Sequence, residues 1–396
     1  LGAGYAGLRA LHVLQGSKGD FHITLVDKND YHYEATDLHE VAAGTQPRER
    51  ISYDIADVVR PQKTTFLQNE VATIDRQSQR IMFTDQTSLS YDYLIVALGF
   101  ESESFGIPGV NENALEMVDV DSAETIYHHL LKQMKEYKKT QDPDLLKIVV
   151  CGAGFTGVEL LGSLVENRKE FAEIAGVQSE EIKLFCVEAV TRLLPMFDEN
   201  LSAYGINNLV KWGVEFLTGK PIKEIKPGVV VYQTDAETGA TEELSAKTII
   251  WTTGVSGSHV MADSNYAARR GRVMVNQDLS DPEHSNVFVV GDVSAVMDPA
   301  TNRPYPTTAQ IALKMGYQAA KNCLHLIKGE KTEDFHFESL GSVASIGNTH
   351  AFGLVGKMPV KGYPASFVKK AIMDRSLFLT GGVKEVLAKG RFDFYH

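Results

Sequence analysis

The sequence predicts an α/β protein of two similar Rossmann-like dinucleotide-binding domains, the second inserted in the first, followed by a C-terminal α+β region. Three observations predict it. Residues 2–7 read Gly-Ala-Gly-Tyr-Ala-Gly, a G-x-G-x-x-G loop that runs into a helical pattern of Leu8, Leu11 and Leu14. Residues 152–157, Gly-Ala-Gly-Phe-Thr-Gly, repeat the loop 150 positions later, after a strand-like run at 146–150 and before Val158, Leu160, Leu161 and Leu164. Pieces downstream of each loop recur as well: Phe66-Leu67 in Phe216-Leu217, 71–74 in 222–225, and Leu98-Gly99 in Thr253-Gly254. Self-similarity on this scale marks duplication of a whole domain.

Each loop has a physical reading. The first glycine permits a tight turn, the second lets backbone approach a pyrophosphate, and the third lets the helix pack on the sheet with its N-terminus facing the phosphates. One such loop is a weak signal. Two in one chain suggest two nucleotides held so that one passes electrons to the other.

At 396 residues the chain needs two or three domains. Its net charge of −12 argues against nucleic acid as the main partner. The three cysteines, Cys151, Cys186 and Cys323, lack metal-like or C-x-x-C spacing and are expected to be reduced thiols. No run of 18 apolar residues appears, so no membrane-spanning helix is expected. A strand is expected to lead into Gly2, outside the sequence that starts at Leu1, together with any targeting signal.

In chain order, residues 21–27 read as a strand ending at Asp27, 20 positions past Gly7, the spacing at which a carboxylate accepts ribose hydroxyls. His32 and His39 follow without a matching ligand set and are expected to be packed or hydrogen-bonded. Thr45 opens a loop after Ala42-Ala43-Gly44. Segments 65–67, 71–74, 80–83 and 93–96 read as a β-meander, the last leading into Ala97-Leu98-Gly99, where a glycine lets backbone meet a ligand. A helix is expected at 122–139 and a linker at 141–143. The strand 183–187 ends at Glu188, 31 residues past Gly157, which calls for extra helix around 166–180. An acid there repels a 2′-phosphate and favours NAD over NADP, while Arg192 nearby would favour the reverse. A further strand, 286–290, ends at Gly291-Asp292, where a carboxylate can hold a flavin's ribitol. After Pro306-Thr307-Thr308 a helix starts at Ala309-Gln310, its N-terminus suited to charge on a reduced flavin.

The tail changes character. Residues 357–396 carry eight basic residues (357, 361, 369, 370, 375, 384, 389, 391) against three acids (374, 385, 393), a net +5 that leaves −17 on the other 356 residues. Phe367, Ala371 and Phe378, with Val368, Ile372 and Leu379, share a helical face beside Lys369, Lys370 and Asp374. A basic amphipathic segment of this kind is expected to lie on an anionic membrane surface; a dimer interface or a core-packed helix is the alternative.

Taken together, GAGYAG (2–7), YHYEATDLHE (31–40), AAGT (42–45), YDYLIVALG (91–99), GAGFTGVE (152–159), CVEA (186–189), VVGD (289–292), RPYPTTAQIA (303–312), SVASIG (342–347) and the basic tail resemble the type II NADH dehydrogenases, single-subunit, non-pumping NADH:quinone oxidoreductases in their Gram-positive form. The resemblance spans essentially the whole chain. It implies FAD on the first domain (1–110 and 266–330), with contacts at Gly2, Ala3, Gly4, Tyr5, Ala6, Gly7, Asp27, Lys28, Thr45, Val71, Ala97, Gly99, Asp292, Ala309 and Gln310. It implies NADH on the second (111–265), at Gly152, Gly154, Gly157 and Glu188. Glu159 matches a carboxylate associated with substrate binding and proton delivery; Lys369 lies near the cofactors. Gln310, Lys314 and Lys370 would frame a site for a membrane quinone, menaquinone or ubiquinone. Residues 331–396 would serve membrane association and dimerisation, giving a peripheral homodimer on the cytoplasmic side of the cell membrane. One departure stands out: the related helix reads A-Q-x-A-x-Q, and Lys314 replaces its second glutamine.

Two other readings use the same fingerprints. A sulfide:quinone or disulfide-reducing flavoprotein needs reactive cysteines beside the flavin, and no cysteine precedes Cys151. An NADH-sensing flavoprotein would bind both nucleotides and turn over slowly.

Overall fold

The structure, a computed structural model, describes residues 1–392. The chain opens at Leu1-Gly2 and enters helix α1, Tyr5–Gly16, which buries Leu8 and Leu11. Strand β1, Ile23–Asp27, follows, then the short helix α2, Leu38–Ala43, closed by Gly44 in the left-handed region. Strand β2, Thr64–Gln68, pairs parallel with β1, placing Leu25 opposite Phe66 and Asp27 opposite Gln68. β3 (Val71–Asp75), β4 (Arg80–Phe83) and β5 (Ser88–Ser90) form an antiparallel meander. β6, Leu94–Val96, returns to the parallel layer. The meander therefore differs in membership from the one the sequence predicts. Residues 65–67 and 94–96 are drawn into the buried parallel layer, and polar Ser88–Ser90 supplies the third antiparallel strand.

β7, Phe100–Ser102, carries the chain into the second domain. There β8 (Leu115–Glu116) precedes helix α3, Val120–Thr140, whose start is a capping box between Asp119 and Ser122. β9, Lys147–Cys151, leads through the second glycine loop into α4, Phe155–Ala175. The extra helix expected around 166–180 is the continuation of α4 to residue 175. β10 (Lys183–Glu188) and β11 (Val214–Thr218) complete the layer, and β12 (Ile222–Lys226), β13 (Val229–Gln233) and β14 (Thr241–Ser245) make a second meander. β15, Thr248–Trp251, sits between β8 and β9 in a parallel sheet of order β8-β15-β9-β10-β11. All four residues of β15 are buried, as a strand covered on both faces requires.

β16, Val255–Gly257, brings the chain back, pairing antiparallel with β7 so that the outward and return crossings form one ribbon. Residues 107 and 110 pack with the second domain's core, whereas Val260 and Met261 pack with the first. The crossing thus lies at β7 and β16, several residues before the 110/111 and 265/266 boundaries expected from the sequence. β17, Val287–Val289, pairs parallel with β6. Residues 1 and 2 sit between β1 and β6: the Gly2 amide donates to the Val26 carbonyl at 2.7 Å, and the Ala97 amide to the Leu1 carbonyl at 2.8 Å. Helix α5, Ala309–Ile327, begins at Thr308, whose hydroxyl accepts from the Ile311 amide at 3.2 Å.

The C-terminal region is an antiparallel sheet of β18 (Gly341–Ser345), β19 (Ala351–Val355) and β20 (Met358–Gly362), followed by α6, Tyr363–Lys389, broken at Gly382. Leu377 of α6 joins Leu8, Leu11, Tyr53 and Val58 in a core cluster on the first domain. Positions 393–396, which end the 331–396 region and include tail acid Asp393, lie outside the described residues. Among the described residues no helix is long and apolar enough to cross a membrane.

Candidate functional site

The first glycine loop borders a cavity of about 1030 Å³, at the upper end of the roughly 300–1,000 Å³ typical of ligand pockets. Gly2, Ala3, Gly4, Tyr5, Ala6, Asp27, Lys28, Val71, Ala97, Gly99 and Asp292 all line it. The glycines divide their work as the sequence implies. A Cβ on Gly7 would lie 1.8 Å from the Gly2 carbonyl oxygen, so the helix could not pack; a Cβ on Gly4 meets nothing within 4 Å, leaving room for a phosphate. Gly99, with φ +72°, turns the chain at the cavity wall.

Asp27 is fixed by its own loop: Oδ2 accepts the Ala3 amide at 2.6 Å and Oδ1 the Asn29 amide at 2.8 Å. Burial raises its carboxyl above the ordinary range, and those two amides oppose the rise. Asp292 is pushed up to about 6 by burial, with the Arg272 guanidinium pulling the other way. Arg272 is held by the carbonyls of Ser294 and Tyr305, each at 3.0 Å. The cavity, the open space at Gly4 and the two acids on its lining fit a dinucleotide such as FAD.

The second loop repeats this construction atom for atom. Glu188 Oε2 accepts the Ala153 amide at 2.8 Å, and Oε1 accepts the Val190 amide at 3.0 Å. A Cβ on Gly157 would lie 2.0 Å from the Gly152 carbonyl oxygen, and one on Gly154 meets nothing. Both meanders carry a bulge after their first paired residue, at Val71/Thr73 and at Ile222/Glu224. Arg192 donates to the Phe197 carbonyl at 3.3 Å, turned to the chain beyond the strand end. Beside Gly152 the buried Thr253 hydroxyl has no hydrogen-bond partner, a polar atom that suits a bound amide. These features fit NADH.

Glu159 lies at the start of the second turn of α4 and is buried. Its Oε1 accepts from the Ser345 amide at 3.0 Å, the Ser345 hydroxyl at 3.1 Å and the Lys369 ammonium at 2.8 Å. Burial would raise the carboxyl; Lys369, His39 and the Ser345 bonds outweigh it and hold it below its ordinary value. Burial would likewise lower Lys369, and the carboxylates of Glu159 and Asp37 hold it above. Both groups are therefore charged at neutral pH. One turn along α4, Ser163 Oγ meets His39 Nδ1 at 3.0 Å, and burial lowers His39 from its ordinary value. His32 Nδ1 meets the Ala3 carbonyl at 2.7 Å. Second domain, C-terminal sheet and C-terminal helix thus converge on one carboxylate.

Gln310 is clamped to the C-terminal sheet: Oε1 accepts the Leu340 amide at 2.8 Å, and Nε2 donates to the Gly341 carbonyl at 3.3 Å. Ala309 is half-buried beside it. Lys314, one turn on, is exposed, with its ammonium 5.7 Å from the centre of the Tyr317 ring. Thr45 lies away from the cavity, its hydroxyl donating to the Glu40 carbonyl at 3.2 Å. Lys370 is buried on the inner face of α6.

The tail corrects one physical argument. Half of its eight cations are tied to the body rather than forming an outer polar face. Lys369 pairs with Glu159, Lys384 with Asp57, and Arg391 with Glu40 and Asp37, while Lys389 donates to the Glu49 carbonyl. The tail's positive charge answers the body's negative charge. Beside Arg375 and Lys384, what α6 presents outward is largely apolar: Phe367 is 57 % exposed, Phe378 51 %, Val383 62 % and Leu387 74 %. Sequence reasoning missed Ser345, Ser163 and Arg272; each acts across 20 to 186 positions and carries no local signal.

Comparison with known proteins agrees with this layout. The pyridine nucleotide-disulphide oxidoreductase family profile matches residues 1–316. The chain is 40% identical over 396 residues to the type II NADH:quinone oxidoreductase of Staphylococcus aureus (strain MSSA476), covering 99% of this chain and 98% of that one. In fold it is similar to NDH2 from Plasmodium falciparum in complex with NADH (TM-score 0.85, 19% identity, 100% and 98% covered). It is also similar to the sulfide:quinone oxidoreductase of Aquifex aeolicus (TM-score 0.77, 21% identity, 100% and 95% covered).

Proposed function

Since the chain belongs to the pyridine nucleotide-disulphide oxidoreductase family and, within it, to the type II NADH:quinone oxidoreductases, we propose the following account of how its residues carry out that reaction. It is an FAD-dependent oxidoreductase that takes a hydride from NADH and delivers two electrons to a quinone, without pumping protons. The observation that carries this reading is the doubled loop-and-acid construction at Asp27 and Glu188 in one chain.

Bound FAD supplies the two-electron relay between NADH and quinone. In this proposal Gly2, Ala3, Gly4, Tyr5, Ala6 and Gly7 carry its pyrophosphate, Asp27 and Lys28 its ribose end, and Asp292 its ribitol. Val71, Ala97 and Gly99 close the wall, Ala309 and Gln310 face the ring, and Thr45 supports from outside the cavity. Gly152, Gly154 and Gly157 hold the NADH phosphates, and Glu188 accepts its ribose hydroxyls and repels a 2′-phosphate. Arg192, occupied with Phe197, favours NADH over NADPH by default. Gln310, Lys314 and Lys370 frame the quinone.

Glu159 handles the proton the quinone needs. Lys369 Nζ, a proton donor, lies 2.8 Å from Glu159 Oε1, and Ser345 holds that oxygen in place. If Glu159→Gln leaves turnover and its pH profile unchanged, the role is wrong. The sulfide reading loses ground because Cys151, Cys186 and Cys323 are all buried; burial lifts the first two thiols far above their ordinary value and Cys323 to about 12.

We further propose a peripheral homodimer on the cytoplasmic face, where NADH is found, with the apolar outer face of α6 in contact with an anionic membrane. Exposed Phe367, Phe378 and Leu387 support lipid contact. Anaerobic stopped-flow tests the main reading: flavin absorbance should bleach on NADH and recover on menadione. Bleaching without recovery would sink quinone reduction and favour a sensor.

A further inference from the structure

Half of the tail's eight cations are tied to the body. Of the cations without an acidic partner, three lie on the packed helices α1, α5 and α6. Arg9 of α1 lies over the Tyr317 ring, its guanidinium carbon 5.2 Å from the centre; Lys314 of α5 meets the same ring at 5.7 Å, and Lys321 at 5.9 Å. Arg375 of α6 is exposed on the stripe that carries Phe367, Ala371 and Phe378. It lies within two turns of Leu377, which packs with Leu8 and Leu11 of α1, and of Thr380, whose carbonyl meets His12 Nε2 of α1 at 2.5 Å, so α6 runs against the helix that carries Arg9. Among the described residues neither Arg9, Lys314 nor Arg375 has a carboxylate in ion-pair range, and Lys321 reaches Glu333 only at 3.9 Å. In a chain of net charge −12, like charges gathered from three helices without a counter-ion are costly unless something anionic comes to them.

We infer that Arg9, Lys314 and Arg375 form a binding site for the phosphate of an anionic lipid headgroup, at the junction of α1, α5 and α6. The inference rests on the reading that the enzyme works at a membrane. Arginine's planar fork suits phosphate oxygens, and the Tyr317 ring holds two of the cations in position before a ligand arrives. A lipid fits better than a soluble anion because Arg375 shares its face with exposed Phe367 and Phe378, which would enter the acyl boundary while the cations meet the headgroup. Lys314 stands at the position where the related motif carries glutamine.

The test is sedimentation of the FAD-loaded protein with vesicles of phosphatidylcholine alone or mixed with phosphatidylglycerol. The wild type should prefer the anionic vesicles, less so as salt rises. Arg9→Gln with Arg375→Gln should lose about thirtyfold of that preference and Lys314→Gln about fivefold, at roughly fivefold per cation near the surface. Menadione reduction in solution and the melting temperature of the Arg9/Arg375 variant should match the wild type. If that variant does not fold, the charge-keeping Arg9→Lys/Arg375→Lys pair replaces it and should retain the preference; loss of the preference in that folded pair overturns the site. Full preference in the neutral variants overturns the site. So does release by millimolar inorganic phosphate at constant ionic strength, which would assign it to a free anion. Equal binding to both vesicles defeats this inference and leaves the membrane reading standing; binding to neither defeats the membrane reading itself.

Discussion

Glu188 spends both carboxylate oxygens on its own loop, on the amides of Ala153 and Val190. A 2′-phosphate would meet a fixed negative charge at the strand end, and like charges at such range cost on the order of several kcal/mol. Glu188→Gln should therefore lower the ratio of kcat/KM for NADH over NADPH by roughly ten- to a hundredfold, 1.4 kcal/mol being tenfold; an unchanged ratio would mean the strand-end acid does not select. Lys369 and Glu159 make a different prediction. Removing one partner of a buried pair leaves a bare charge, so Lys369→Met should cost about 3–5 kcal/mol in urea unfolding, and adding Glu159→Gln should restore most of it. The pH dependence has opposite signs at two acids. Glu159 is held below its ordinary value, so its contribution is present above that value and fades as pH falls through the folded one. Asp292 is raised to about 6 in the cofactor-free protein, so its contribution is full below 3.8 and is lost as pH rises through about 6. The apo form of Asp292→Asn should match wild type in melting temperature near pH 4, exceed it by pH 7, and retain FAD less well.

At the scale of elements, the two glycine loops make a contrast that can be measured. Gly157→Ala puts a methyl 2.0 Å from the Gly152 carbonyl oxygen, so helix α4 must shift off the sheet and the melting temperature should drop. Gly154→Ala meets nothing within 4 Å of the protein, so it should fold normally and instead raise the KM for NADH by tenfold or more, the methyl standing where a phosphate approaches. Equal destabilisation by both would show that Gly154 serves packing. These loops, their acids and the duplicated meanders were legible because each is written in contiguous residues with fixed spacing. The C-terminal helix was legible in position and illegible in orientation. On the helical wheel Phe367 and Phe378 share one face and Lys369 lies about 160° away, so the helix has two distinct sides, and only the partners decide which side turns inward. Glu159 lies 210 positions from Lys369, and Asp57 lies 327 from Lys384, so no local pattern announces either pair. The meander was misassigned for a related reason: short apolar runs at 65–67 and 94–96 read alike whether their partners run parallel or antiparallel.

For the molecule as a whole, α6 is a clasp over the first domain, with Leu377 in the same cluster as Leu8, Leu11 and Tyr53. Ending the chain at Gly362 removes that cover and strips Glu159 of Lys369. The truncated protein should melt several degrees lower and release flavin on dilution; retention of flavin and melting temperature would show that the helix serves the membrane alone. The ribbon of β7 and β16 has a consequence for how the protein is made. The second domain is one unbroken stretch between those strands, so every strand of its parallel sheet is available once the ribosome has released residue 257. The first domain lies open at that moment, because β6 lacks β17 and α1 lacks α5. A newborn chain therefore holds a nicotinamide module with its sheet complete beside an unfinished flavin module, and the flavin can be seated only after residues 287–327 emerge.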